Sequence, residues 1–329
     1  MQSLLKTTKA YTLLETEARE HRLGHAYLLL FDDARHLRDA LKTFVKPFFG
    51  LNDLSDPAQK RVSDLIDTES FSDCLFFPSP DKKLTVEDAE KIQEECTLNP
   101  VEGEKKVFVI GDFAEANVQT QNKLLKLLEE PPQGVVFLLG ATSVFPVLQT
   151  VLSRTEKLEI QPFDTTSVTD CLVRNYGNKF DRDTLALCAA ASGGNVGEAQ
   201  NMAEGGHYRF LIENAFALAL ATPSRLPALT RQVGETKYKK ELLSLLRILF
   251  RDALLIKLQA LGRGKTAKAL LLAGEQAKLE KIATKYSPSA LLYAQEAISA
   301  AELQVKFNAV FAQCIELCIA NILEKNNAA

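Results

Sequence analysis

Neither sign of charge dominates this 329-residue chain: 39 Lys and Arg against 42 Asp and Glu leave a formal net charge of -3. No global field would draw it onto a polyanion, so a nucleic-acid role would need a local basic patch or a more basic partner. The nearest basic clusters are Lys237, Lys239 and Lys240, and Arg263, Lys265 and Lys268. Both read as solvated helix ends, and no interleaved aromatics offer a stacking platform. Long apolar runs are missing too. The most apolar helix, Leu242 to Leu258, is interrupted by Arg247, Arg251, Asp252 and Lys257. It never reaches the ~18 apolar residues of a membrane span. Cysteine clusters are lacking: Cys74, Cys96, Cys171, Cys188, Cys314 and Cys318 are scattered, and only the last two are close. The four histidines (His21, His25, His36 and His207) lie far from that pair in sequence. A zinc site is therefore not expected, and buried, reduced thiols are, in a cytoplasmic protein with no apparent secretory leader.

What is present is an ordinary globular composition, 46% hydrophobic and 25% charged, long enough for about two domains. In the first 160 residues short apolar runs alternate with longer mixed ones. Ala26–Phe31, Cys74–Phe77, Val107–Ile110, Val135–Leu139 and Lys157–Ile160 read as strands buried on both faces. Leu4–His21, Ala34–Phe44, Val86–Thr97 and Val118–Glu129 read as helices. The alternation predicts a parallel sheet with right-handed crossovers. Beyond Pro162 the pattern is helical. Val168–Tyr176, Thr184–Ala191 and Gly197–Glu204 form three short helices, and Gly205-Gly206 makes a joint before the helical stretch Tyr208–Lys325.

The segment from Lys106 to Arg154 is the most telling. An apolar run ends in Gly111-Asp112, an Asn117-capped, Gln-rich helix is stopped by Pro131-Pro132, and a second apolar run leads through Ala141-Thr142 to Leu152-Ser153-Arg154. This is the skeleton of a nucleotide-handling α/β domain, yet much of the chemistry is missing. A phosphate cradle after the first strand needs glycine and a lysine followed by Ser or Thr. Here the strand runs into Asp32-Asp33-Ala34-Arg35-His36-Leu37-Arg38. Two carboxylates would face phosphate, at about 4 kcal/mol of repulsion per close pair, with Arg35 and Arg38 offsetting part of it. A hydrolytic site also ends its third strand in two acidic residues; here only Asp112 remains, reading as a helix-capping or solvent-facing carboxylate. Arg154 is retained. At the end of a sheet it can serve as a surface ion pair or reach into a neighbouring molecule.

Arg22-Leu23-Gly24-His25-Ala26-Tyr27, the string Gln121-Asn122-Lys123-Leu124-Leu125-Lys126-Leu127-Leu128-Glu129-Glu130-Pro131-Pro132, and Ser153-Arg154 together resemble the bacterial clamp-loader AAA+ family, and within it the delta-prime branch. The resemblance covers residues 20–200. It implies an α/β N-terminal AAA+ domain, P-loop NTPase-like with a parallel five-stranded sheet, over 1–161. It further implies an all-α lid over 162–206 and an all-α C-terminal collar over 207–329. The family's Ser-Arg-Cys motif falls on Ser153, Arg154 and Thr155, its sensor position on Ala141-Thr142, and its lid arginine on Gly197, where it is absent. The zinc insertion expected between Val45 and Cys74 has no cysteine before Cys74.

These departures agree with one another. The nucleotide loop, the second carboxylate and the lid arginine are gone, and the finger remains. The resemblance thus implies a DNA polymerase III subunit that is not an enzyme on its own. It would hold no ATP, magnesium or zinc and act as a stator, with Arg154, beside Ser153, as a catalytic arginine finger in trans. Its partners would be gamma/tau and delta subunits through the C-terminal helices. Primer-template DNA and the sliding clamp would be met only through the assembled complex, and no membrane is involved. Two other readings stand beside this one: an AAA+-derived protein-interaction module outside replication, and an active gamma/tau-like ATPase.

Overall fold

A computed structural model describes residues 1–52, 55–262 and 270–328. The chain divides into two compact units, Met1–Pro162 and Phe163–Ala329.

The first unit opens with α1 (Gln2–Leu5) and α2 (Lys9–Arg19), where a single helix over Leu4–His21 is expected. Thr8 makes the break. Its hydroxyl donates to Leu5 O (2.7 Å) and accepts from Tyr11 N (3.2 Å), ending one helix and capping the next. There follow β1 (Ala26–Leu30), α3 (Leu37–Val45), α4 (Pro57–Asp67), β2 (Cys74–Phe77), α5 (Val86–Glu95), β3 (Lys106–Ile110), α6 (Val118–Glu129), β4 (Val135–Ala141), α7 (Gln149–Leu152) and β5 (Glu156–Glu159). Helix α4 is not anticipated from the sequence pattern. Its start is nonetheless written there: Asp56 caps Ala58 N at 3.0 Å and Pro57 takes the first helical position.

The five strands are ordered β2-β3-β4-β1-β5 and every pairing is parallel. Leu28 of β1, between β4 and β5, lies opposite Leu139 on one side and Lys157 on the other. One sheet face packs Leu28, Phe108, Phe137 and Leu139 against Ile92 of α5, Leu124 and Leu128 of α6, and Val151 of α7. On the other face α3 approaches β4 closely: a Cβ built on Gly140 would lie 2.8 Å from Leu41 Cδ1. The near-continuous apolar runs of β1, β3 and β4 follow from burial on both faces. Strand β5, expected to be buried likewise, is an edge strand whose Glu156, Lys157 and Glu159 are exposed and only Leu158 is buried.

In the second unit the described residues form helices: α8 (Thr165–Tyr176), α9 (Arg182–Ala191), α10 (Val196–Gly205), α11 (His207–Ala219), α12 (Leu226–Val233), α13 (Lys239–Ala260), α14 (Gln276–Lys285), α15 (Pro288–Lys306) and α16 (Phe311–Asn327). Asp164, Asp181 and Asn195 cap the first three through Ser167 N, Thr184 N and Glu198 N. Helix α13 buries Leu242, Leu243, Leu246 and Leu249, and also Asp252. The Asp252 carboxylate accepts from Leu271 N and Leu272 N, both at 2.8 Å, and pairs with Arg251. Burial pushes its carboxyl above the usual range, and those bonds hold it back in part. Lys285 and Tyr286 close the carbonyl end of α11: Tyr286 Oη donates to Ala219 O at 2.8 Å, and Lys285 Nζ to Ala221 O at 2.6 Å.

All six cysteines are buried and form no disulfide; burial pushes the Cys96, Cys188 and Cys318 thiols up to about 12. Among the described residues no His, Cys, Asp or Glu cluster could hold a metal ion. Nor is any helix among them long and apolar enough to cross a membrane. Of the basic clusters, Lys239 lies over the Phe311 ring at 5.8 Å, whereas Arg263, Lys265 and Lys268 fall outside the described residues.

Candidate functional site

The loop after β1 closes on itself. Helix α3 starts at Leu37, not at Ala34, because Asp33 folds back over the intervening turn. Its carboxylate accepts from His36 N at 3.1 Å and pairs with His36 Nδ1 at 2.8 Å. Asp33 is 1% exposed and His36 8%. A helix N-terminus attracts an anion, and here the chain supplies its own. Of the two carboxylates expected to face phosphate, Asp32 is exposed and Asp33 is turned inward.

Arg38 does not face this loop as a phosphate partner. Its guanidinium forks onto both carboxylate oxygens of Glu69 and donates to Pro78 O at 3.0 Å, with Phe76 beneath it at 5.7 Å. Lys42 Nζ also reaches Glu69, at 2.9 Å. Arg38, followed by Lys42, holds the Glu69 carboxyl below the usual carboxylate range against the opposing effect of burial.

At the end of β3, Asp112 precedes the short turn Phe113–Glu115, in keeping with a capping position. It is not simply solvent-facing, however. Thr142, after β4, donates to it through Oγ1 (3.2 Å) and N (3.4 Å). Burial raises the Asp112 carboxyl above its ordinary range, with Thr142 offsetting part of the effect. Parallel neighbours of staggered length bring these two residues together. Ile110 lies opposite Leu139, so β4 runs on to Ala141 and sets Thr142 beside Asp112.

The path to Arg154 depends on Gln121, which is 1% exposed near the start of α6. Its Nε2 donates to Ala116 O (3.0 Å) and Pro146 O (3.1 Å), and its Oε1 accepts from Leu148 N at 2.9 Å. One side chain thereby fixes the loop that delivers α7. The sequence pattern marks Gln121 only as part of the resembling string; the signal for its role was a long amide on the apolar face of a helix.

Arg154 follows α7. Its Nη1 donates to Thr150 O at 3.0 Å and approaches Ser153 Oγ at 3.4 Å; its Nη2 pairs with Glu129 at 3.1 Å. Its Nε is buried with no partner among the described residues. Ser153 is exposed and donates to Thr150 O. Thr155, standing at the family's cysteine position, is half-buried and donates to Val151 O at 3.2 Å. These residues, with His25, Glu129 and Glu156, line an open cleft of about 540 Å³. His25 Nε2 is 3.1 Å from Leu128 O. A carbonyl oxygen only accepts, so Nε2 carries the proton. A Cβ built on Gly24 would collide with Glu156 Oε1.

The structure thus places a cleft with an arginine at one end of α7 and a self-filled loop after β1. Residues 6–164 match the family described as DNA polymerase III, delta subunit. This segment is therefore similar to that family. Among curated relatives, DNA polymerase III subunit delta' of Bacillus subtilis is 29% identical over 164 residues, 49% of either chain. DNA polymerase III subunit tau/gamma of Haemophilus influenzae is 27% identical over 203 residues, 59% of this chain and 29% of the relative. The chain spans about half or less of the length of these curated relatives. Among solved structures, a gamma subunit-related protein of Thermotoga maritima overlays with a TM-score of 0.38 at 16% identity, covering 95% of this chain and 99% of that one. The Thermotoga maritima RuvB Holliday junction branch migration motor overlays at 0.41 and 14% identity, covering 84% and 82%.

Proposed function

We propose that the chain is a non-hydrolysing, delta-prime-like subunit of a cytoplasmic DNA polymerase III clamp loader. It acts as a stator and lends Arg154 to the nucleotide site of a neighbouring ATPase subunit. The observation that carries this reading is a contrast within one domain. The loop after β1 is filled by the buried Asp33–His36 pair, while Arg154 stands in an open cleft. A chain that binds no nucleotide of its own but keeps an arginine at the domain edge has the parts to complete another chain's site. Such a finger stabilises charge on the transferring phosphoryl group and is worth roughly 10³–10⁵ in rate. In this reading Ser153 accompanies the finger. The helices of the second unit join the gamma/tau and delta subunits, and DNA and the sliding clamp are met through the assembly.

The test is ATP hydrolysis by the cognate gamma/tau and delta subunits with clamp and primed DNA, run without this chain, with it, and with Arg154→Ala. The expected result is stimulation by the wild type that is lost in the variant, while both co-elute with the partners on a sizing column. Equal rates in all three mixtures would refute the finger. Failure of the wild type to assemble would favour a protein-interaction module outside replication.

A further inference from the structure

Arg154 is anchored from within its own domain in a way that a simple protruding finger does not require. The Thr150 carbonyl holds Nη1, Glu129 holds Nη2, and Nε is turned inward. Glu129 is the last residue of α6, with Glu130 and Pro131-Pro132 directly after it. A negative charge at the carbonyl end of a helix opposes the macrodipole. Its own helix therefore disfavours Glu129 where it stands, and the ion pair with Arg154 offsets this. The other groups around the cleft do not take over that role. His25 donates Nε2 to Leu128 O. The Glu156 carboxyl is raised by burial and then by Glu17, with His25 opposing. A phosphoryl group entering the cleft would compete for Nη2 and repel the carboxylate already there.

We propose that Glu129 is a positioning residue for Arg154: it holds the guanidinium against its own domain until a neighbour's phosphoryl group displaces it. The proposal rests on the trans-finger reading above. The exchange is of one anion for another at Nη2, so an empty neighbouring site leaves the arginine latched. Both partners are partly exposed, 30% for Arg154 and 57% for Glu129. The latch is accordingly a weak one that a bound nucleotide can open.

The full-length chain, as wild type, Glu129→Gln, Glu129→Asp and Arg154→Ala, would be assembled with cognate gamma/tau and delta subunits, and hydrolysis followed over a range of ATP concentrations. In parallel, the chain without partners would be treated with phenylglyoxal and modification of Arg154 quantified by mass spectrometry. Glu129→Gln is expected to raise kcat/KM about two- to five-fold, the range for an exposed ion pair. The gain should appear in KM with kcat unchanged, and Arg154 should be modified faster by a similar factor. Glu129→Asp, one methylene shorter, should fall between. If kcat/KM for Glu129→Gln stays at or below the wild-type value while Arg154→Ala still abolishes stimulation, the latch is refuted and the finger stands. An unchanged modification rate would refute the latch as well. A fall in kcat would mean that Glu129 orients the finger instead of withholding it, which also overturns the proposal. An Arg154→Ala variant as active as the wild type would sink the finger itself.

Discussion

Replacing Gln121 with leucine removes an amide that joins three backbone groups in the first unit while keeping the helix propensity and much of the volume. The lost contacts are with Ala116 O, Pro146 O and Leu148 N, at 3.0, 3.1 and 2.9 Å. Each typical intramolecular hydrogen bond contributes about 0.5–1.5 kcal/mol net, and a buried group left unpaired costs more. The sum is about 2–4 kcal/mol, since water can reach the partly exposed ends. In a unit of this size each kcal/mol moves Tm by about 2–4 °C, giving a fall of about 4–16 °C. Hydrogen exchange gives a local readout. The Leu148 amide has lost its acceptor, so exchange in the peptide spanning 145–149 should accelerate at least about tenfold, the equivalent of 1.4 kcal/mol. If the proposed trans-finger role holds, stimulation of the neighbouring ATPase should also weaken with Arg154 intact, because Leu148 caps α7 and Arg154 follows that helix. A variant that melts within about 2 °C of wild type and exchanges normally at Leu148 would refute the claim that Gln121 holds this loop.

The other predictions can be checked on the same material. Gly140→Ala would put a Cβ 2.8 Å from Leu41 Cδ1, and Leu41 is fully buried. Overpacking of this kind costs about 1–3 kcal/mol, read as a lower urea midpoint, and Leu41→Ala in the same chain should recover part of it. Glu69 has its carboxyl depressed by Arg38 and then by Lys42. Its stabilisation is fully present above the unfolded value near 4.5 and is lost as pH falls through the lower folded value. The difference in urea midpoint between wild type and Glu69→Gln should thus be constant from pH 7 to about pH 5.5 and shrink on acidification below the unfolded carboxylate value. A difference that does not change with pH would show that the Arg38–Glu69–Lys42 cluster acts without charge.

Much of the first unit was legible in the chain. Strands β1 to β5 lie within one or two residues of the expected runs. Strands β1, β3 and β4 are continuous hydrophobic segments because they are buried on both faces, whereas β5 is an edge strand with only Leu158 buried. Helix α6 has the expected bounds because Asn117 and Pro131-Pro132 mark its ends. Boundaries failed where a single side chain rewrote the backbone: Thr8 splits the first helix, and Asp33 delays α3 to Leu37. Helix α4 went unseen, its Asp56-Pro57 start lying in a segment with few apolar residues. In the candidate site, Arg154 was visible as a retained arginine. The partner that holds it, Glu129, and the amide that delivers it, Gln121, were part of a recognisable string with no roles attached.

The sequence by itself determined what the first unit lacks. No packing can supply the glycine and lysine missing between Phe31 and Arg38, or an acidic residue next to Asp112 in the chain, where Gly111 and Phe113 stand. It also determined the alternation of strand and helix, since hydrophobic periodicity and capping are local. Only the tertiary structure decided where charges that are distant in sequence find their counterparts. Arg38 went to Glu69 and not to the loop, Asp112 to Thr142, and Arg154 to Glu129. Such pairings depend on distances across strands and helices far apart in the chain, and a carboxylate takes whichever donor the fold sets within about 3 Å of it.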